Sequence, residues 1–444
     1  MKIKLLIYLL CLPLLCFGQG KYVVNNKKGV DKINFKLINN VIIIPIKVNG
    51  VELSFLLDSG VNKPIVFNFL KESNSLKILN AQTIYLKGLG RNGKVEALKS
   101  SGNTFTIGDA KNINQDCYII YDASINFAPR LGVPIHGIIG YDLFKDLVVD
   151  INYTKRHIKL TNPDKYKYKS CKKCKTFGLE FYNNKPYVNA SVIVRGNTIP
   201  VKLLVDSGSS DALWLFENYN LGLTVKNNYF NDFLGYGLSG SVHGKRSKIE
   251  AFYLKDFKFN KPLVAYPDSS YTTMVRKIKD RNGSVGGEIL KRFNMTLNYS
   301  RASMVLKRNS NFKNHFSYNK VGIIVENAGI RLITEYEQKA MVKSNLSTNY
   351  INNIKISAVL ANTQKYVIKK AYVIASVRDN SPASKVGLQK GDLIIKINGR
   401  DTKTYSLQEI IEKFHGKEGE KVSIEVDRFG RKIKAKFILT SFIK

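Results

Sequence analysis

Two apolar runs along the chain each end in the triplet Asp-Ser-Gly. The first, VIIIPIKVNGVELSFLL from Val41, is rich in β-branched residues and is broken at Asn49-Gly50. That pattern predicts a β-hairpin, and it leads into FLLDSGVNKPIVF, Phe55 to Phe67. The second, YVNASVIVRGNTIPVKLLV from Tyr187, repeats the plan with its turn expected at Gly196-Asn197. It leads into LLVDSGSSDALWL, Leu203 to Leu215, with its Asp 148 residues after the first. Two further landmarks return at nearly the same offset. Gly88-Leu-Gly-Arg-Asn-Gly93 is followed 147 residues later by Gly235-Tyr-Gly-Leu-Ser-Gly240, and GYDLFKDLVVDINY from Gly140 is followed 146 later by GGEILKRFNMTLNY from Gly286. The landmarks keep one order, so the chain holds a duplicated unit of about 135 residues joined near residues 161–176. Each unit reads as mostly β. Short helices are expected only after Gly140 and Gly286, returning to strands at RHIKL and ASMVL.

Past about residue 310 the pattern changes. Ser406 and Glu409 form an S-x-x-E capping box. Leu407, Ile410, Ile411 and Phe414 follow on one helical face. Val422, Ile424 and Val426 alternate, as do Ile433, Ala435, Phe437 and Leu439, around a turn at Phe429-Gly430. This predicts a small β domain with a covering helix. Residues 311–370 are Asn-rich and only weakly patterned.

Composition narrows the function classes. A length of 444 residues exceeds one ordinary core, and a hydrophobic fraction of 44% excludes wholesale disorder. The first eighteen residues have Lys2 and Lys4 ahead of LLIYLLCLPLLCF, then Gly18-Gln19. They read as a secretory signal peptide 1–18, too short to span a bilayer. The mature protein is therefore expected to be exported: periplasmic, in the cell envelope or secreted. The formal charge of +36 falls to about +34 without Lys2 and Lys4 (36 − 2). Its lysines are scattered rather than gathered in a stripe, so no specific nucleic-acid partner is expected, and loose contact with an anionic membrane surface is. Cys117, Cys171 and Cys174 remain after the signal. A local bridge, a bridge to Cys117 and free thiols stay open. No paired ligand spacing predicts a metal, and no cofactor is expected.

A single Asp-Ser-Gly is a turn at the end of a strand. Two, related by pseudo-twofold symmetry, can set Asp58 and Asp206 side by side. Adjacent carboxyl groups cannot both ionise readily, so such a pair holds one proton over a broad pH range. One member can then activate water while the other protonates a carbonyl, which is general acid–base hydrolysis without a covalent intermediate.

FLLDSGVNKPIVF and LLVDSGSSDALWL resemble the catalytic motifs of aspartic proteases. GIIGYDLF, Gly137 to Phe144, is similar to the apolar-apolar-Gly segment of retropepsin-like lobes. NSPASKVGLQKGDLIIKING, from Asn380, resembles a PDZ domain. The resemblance implies a mainly β chain: an N-terminal lobe 22–162, a C-terminal lobe 176–310 and a PDZ-like domain 318–442. It implies that Asp58 and Asp206 are the dyad, with Ser59, Gly60, Ser207 and Gly208 supporting it. Gly88, Gly90 and Gly93, with Gly235, Gly237 and Gly240, fall where flaps would lie, and surface turns are the competing reading. Tyr85 and Tyr236 are the tyrosines nearest a flap role. The second copy has Ser284-Val285-Gly286 in place of Ile138-Ile139-Gly140, which predicts a less regular supporting loop. The function implied is an aspartic endopeptidase active as one chain on polypeptide substrates. Its PDZ domain would bind a peptide C-terminus or internal segment to recruit substrate, tether the enzyme or gate it. The alternative is a catalytically silent peptide-binding envelope protein on the same scaffold.

Overall fold

The structure, a computed structural model, describes residues 20–443 except 68–75, 91–92, 169, 226, 273–277, 279 and 345–355. The expected signal segment lies outside the described residues. The chain is mainly β and forms two compact units. The first runs through Asn126 and resumes at Pro134–Phe316. The second comprises Phe127–Val133 and Ser317–Phe442.

In the first unit, strands β1 (Val41–Val48) and β2 (Val51–Leu57) form the expected hairpin. Asn49 and Gly50 turn it with φ of 47° and 90°, values that Asn and Gly adopt at low cost. A second hairpin, β3 (Gln82–Lys87) with β4 (Lys94–Ile107), has Gly88, Gly90 and Gly93 of the first glycine sextet between its strands. Strand β5 (Gly137–Ile139) is the apolar segment before Gly140. The second copy repeats these parts as β6 (Lys185–Val194), β7 (Asn197–Val205), β8 (Phe230–Gly237), β9 (Gly240–Lys248) and β10 (Arg281–Val285). Its first turn falls at Arg195-Gly196, one residue earlier than expected, because Val194 pairs with Asn197.

A six-stranded antiparallel sheet underlies both lobes. At its centre Val148–Asn152 pairs with Phe293–Asn298, matching Val149 to Leu297 and Ile151 to Met295. Each lobe gives this sheet the strand that follows its short helix, Tyr141–Asp146 or Gly287–Leu290. One continuous apolar core therefore runs through both lobes, including Leu57, Ile139, Val205, Val285 and Met295. That continuity fixes one lobe against the other. Cys171 and Cys174 form a local disulfide, and Cys117 is a buried thiol.

The second unit has a separate core. The weakly patterned region forms a long hairpin of β11 (Ile323–Ser344) and β12 (Ile356–Val377), 22 residues each. Its register breaks near Asn327 and Ile330, which removes the clean alternation a sequence pattern needs. Strand β11 is the sheet's edge. The short helix α1 (Ala128–Leu131) packs on β11, with Arg130 Nε 2.6 Å from Glu326 Oε1. Helix α2 (Leu407–Phe414) is held by the expected capping box: Ser406 N donates to Glu409 Oε2 at 2.6 Å and Glu409 N to Ser406 Oγ at 3.3 Å. Leu407, Ile410 and Phe414 are its buried face.

Candidate active site

Each Asp-Ser-Gly sits where a buried strand runs out of partners. Strand β2 ends at Leu57 with β5 parallel beside it, Gly137 opposite Phe55 and Ile139 opposite Leu57. The next backbone N–H, that of Asp58, is caught by Ile139 O at 2.8 Å. Gly140 is tightly enclosed: a Cβ there would meet Val61 O at 2.7 Å. The second copy follows the same geometry. Strand β10 lies parallel to β7, and Asp206 N donates to Val285 O at 3.0 Å. The Ser284-Val285-Gly286 variant makes the same backbone bond to its loop, but a bulge between Lys202 and Leu203, which the first copy's pairing lacks, leaves its supporting strands the less regular of the two, as the sequence predicts.

The two triplets interlock. Ser59 Oγ donates to Val205 O at 2.6 Å, and Ser207 Oγ donates to Leu57 O at 2.8 Å. Ser59 N donates to Ser207 Oγ, and Ser207 N to Ser59 Oγ, each at 3.0 Å. Both serines are buried, at 0% and 1% exposure. Four hydrogen bonds in a dry environment leave no polar group of either hydroxyl idle, and they tie each loop to the other lobe's strand.

This grip sets the carboxyl groups together. A Cβ on Gly60 would lie 3.1 Å from Asp58 Oδ1 and 3.5 Å from Asp206 Oδ1. One on Gly208 would lie 2.5 Å from Asp58 Oδ2, so any side chain there would have to push the Asp58 carboxyl aside. Gly60 N donates to Asp58 Oδ1 at 2.7 Å. Burial, then the neighbouring Asp206 carboxyl, pushes Asp58 up to about 7. Burial also raises Asp206, opposed by the positive charges of Arg281 and Lys185 and by the N–H groups of Gly208 and Ser209. Each carboxyl is thus held above its ordinary range, and two such neighbours share a proton rather than both ionise.

The two glycine sextets meet. Gly88 N donates to Ser239 Oγ at 3.0 Å, Ser239 Oγ donates to Gly93 O at 2.7 Å, and Ser239 N donates to Leu89 O at 2.9 Å. Gly90, at φ 131°, lies flat against the Ser239–Gly240 backbone, where any Cβ would overlap it. Gly237 likewise abuts Leu89. Gly235 and Gly240 flank that tip in strands β8 and β9. Beside it opens a cavity of about 490 Å³, lined by Lys94 to Leu98, Tyr121, Asp122 and Leu238 to Gly240 among others. Tyr85 and Tyr236 are exposed. The sequence singled out the glycines but not Ser239, whose hydroxyl joins the tips. Lys185 and Arg281 were missed too; nothing in their sequence neighbourhoods marks them, and only strand pairing brings them to the dyad.

Residues 44–143 match the family described as aspartyl protease, and residues 373–428 match the PDZ domain family. The chain carries an aspartyl protease domain and a PDZ domain. Among curated proteins it is similar, over the PDZ region, to a probable CtpA-like serine protease of Staphylococcus saprophyticus, 40% identical over 58 residues. It is also similar to the carboxy-terminal processing protease CtpA of Bacillus subtilis, again 40% over 58 residues. Each match covers 13% of this chain and 12% of the relative, so the chain spans about an eighth of their length. Among solved structures it is similar to an aspartic proteinase from Irpex lacteus, at 12% identity and a TM-score of 0.41, covering 64% of this chain and 99% of the other.

Proposed function

We propose that the chain is an aspartic endopeptidase whose two lobes build one hydrolytic site around Asp58 and Asp206. The observation that carries this reading is the reciprocal Ser59–Ser207 lock, which holds the two carboxyl groups within reach of one water molecule. Asp206, ionised, takes a proton from that water as it attacks the peptide carbonyl carbon. Asp58, protonated, gives its proton to the carbonyl oxygen. On collapse of the tetrahedral intermediate the proton on Asp206 passes to the leaving amine, and Asp58 recovers its own from the intermediate's hydroxyl. The joined tips at Gly88–Gly93 and Gly235–Gly240 would have to part for a substrate to enter, and would exclude water when closed.

The PDZ domain would take a peptide by strand addition along the edge of β11, toward α2. Helix α1 already packs on that strand, so an added peptide would have to displace it. Recruitment of substrate is the role this supports. The signal segment read at 1–18 adds that the site works after export.

Digestion of an unfolded polypeptide by the full chain, from mildly acid to neutral pH, tests the reading. Internal cleavage that disappears in Asp206→Asn supports it. Cleavage that persists in that variant contradicts it.

A further inference from the structure

The two lobes share backbone geometry at the dyad but differ in what lines it. Ile43 on β1 faces Leu56, and Tyr187 on β6 faces Leu204; both leucines stand two residues before a catalytic Asp. Two residues earlier on those strands, on the same face, stand Val41 and Lys185. Gly137 and Gly283 pair with Phe55 and Leu203 at equivalent places, and two residues before them stand Ile135 and Arg281. In the first lobe the three positions are Val41, Ile43 and Ile135, all buried and apolar. In the second they are Lys185, Tyr187 and Arg281.

These three side chains lie together and toward the dyad. Leu204, which Tyr187 faces, has its Cδ2 3.4 Å from the site of a Cβ on Gly60, which itself is 3.5 Å from Asp206 Oδ1. The Arg281 guanidinium stacks on Phe216 at 5.3 Å and lies 6.0 Å from the Tyr187 ring. Its Nε donates to Gly283 O at 3.2 Å. Buried Tyr187 Oη has no hydrogen bond of good geometry, with Arg281 beside it. Burial, then the Arg281 charge, pushes the Lys185 ammonium down, opposed by the carboxyls of Asp58 and Asp206. Among the described residues neither cation has a carboxylate within ion-pair distance.

Holding unpaired charge away from water is costly, and buried Arg281 with half-buried Lys185 faces a dyad that carries one negative charge. One positive charge is left without a counter-ion. We propose that Lys185, Tyr187 and Arg281 form a carboxylate-binding subsite, so that the cleft selects a substrate with a carboxylate on the second-lobe side of the scissile bond and an apolar residue on the other. This deepens, and rests on, the proteolytic reading of the dyad. A carboxylate fits better than a phosphate monoester, whose second charge would exceed what is left over. The carboxylate can belong to an Asp or Glu side chain or to the substrate's own C-terminus.

The test separates binding from turnover. Full-length Asp58→Asn protein is mixed with paired peptide libraries that differ only in Glu against Gln, and in a free against an amidated C-terminus. The subsite predicts about tenfold or tighter binding of the carboxylate member, the scale of a charge-assisted hydrogen bond. Preference for Glu assigns the side chain, and preference for the free terminus assigns the C-terminus. Adding Lys185→Met should bring the paired affinities within about twofold, and Arg281→Lys should keep the order. Lys185 is half-buried, so its replacement is the variant least exposed to misfolding. Equal binding of both members, no binding of either, or a preference untouched by Lys185→Met overturns the proposal. Carboxylate-selective binding by a wild-type chain that cleaves nothing would leave the subsite standing and defeat the proteolytic reading alone.

Discussion

The lobes agree where backbone groups act and differ in the side chains that stand around the paired aspartates. His136 and Asn282 illustrate the agreement. His136 Nδ1 accepts from Ser54 N at 3.1 Å, and Asn282 Oδ1 accepts from Lys202 N at 2.7 Å. The carbonyls of the same two residues accept from Phe67 N and Phe216 N. Two different side chains thus fill one structural post, because each offers an acceptor at the same reach. Beside them, Ile135 and Arg281 are not interchangeable: one joins the core and the other brings a buried charge to the dyad. A duplicated fold can keep the symmetry of its paired aspartates while the side chains around them diverge.

The largest expected effect is one the lobes share. Asp58→Asn and Asp206→Asn should each lower kcat by at least about 10²–10⁴-fold, the usual worth of a general acid or base, with thermal unfolding little changed. An Asp variant that keeps its rate would break the equivalence of the lobes. Next come the glycines, where symmetry should fail. Gly208→Ala drives a methyl into Asp58 and should cost about 1–3 kcal/mol with loss of activity. Gly60→Ala has 3.1 Å to its nearest neighbour and should be milder in both respects. Equal effects would mean the loops are more alike than their contacts indicate.

Ser59→Ala and Ser207→Ala should each lower stability by about 1–3 kcal/mol, since each strands a buried N–H and a buried carbonyl. The double variant should lose less than the sum, because the hydroxyls serve one network. Denaturant unfolding of the four proteins measures this. The smallest effect concerns pH. Asp58 binds its proton more tightly folded than unfolded, so its contribution to stability is present at low pH and is lost as pH rises through about 7. Activity should fall over the same rise, as Asp58 loses the proton it donates. Lys185→Met removes a charge that opposes the rise, and should move the upper limb of the rate profile to higher pH.

The repeat and its paired aspartates were legible because glycines and charged residues inside apolar strands are conspicuous, and because the copies retain their spacing at the Asp loops. The cationic side was not. Strand β2 has seven residues where β7 has nine, so the offset that aligns the aspartates misaligns Lys185 with Val41. Only cross-strand register restores the match. The long hairpin β11–β12 was hidden for a related reason: register shifts interrupt the alternation that marks a strand. The meeting of the glycine tips depends on contacts 146 to 151 residues apart, which no local pattern carries.

The claim that the lobes share one site is tested most directly by following the Asp58 carboxyl carbon by NMR across pH, in the wild type and in Asp206→Asn. The account predicts that Asp58 titrates near 7 in the wild type. Loss of the neighbouring carboxylate should then lower that midpoint. An Asp58 midpoint that Asp206→Asn leaves in place would contradict the shared site.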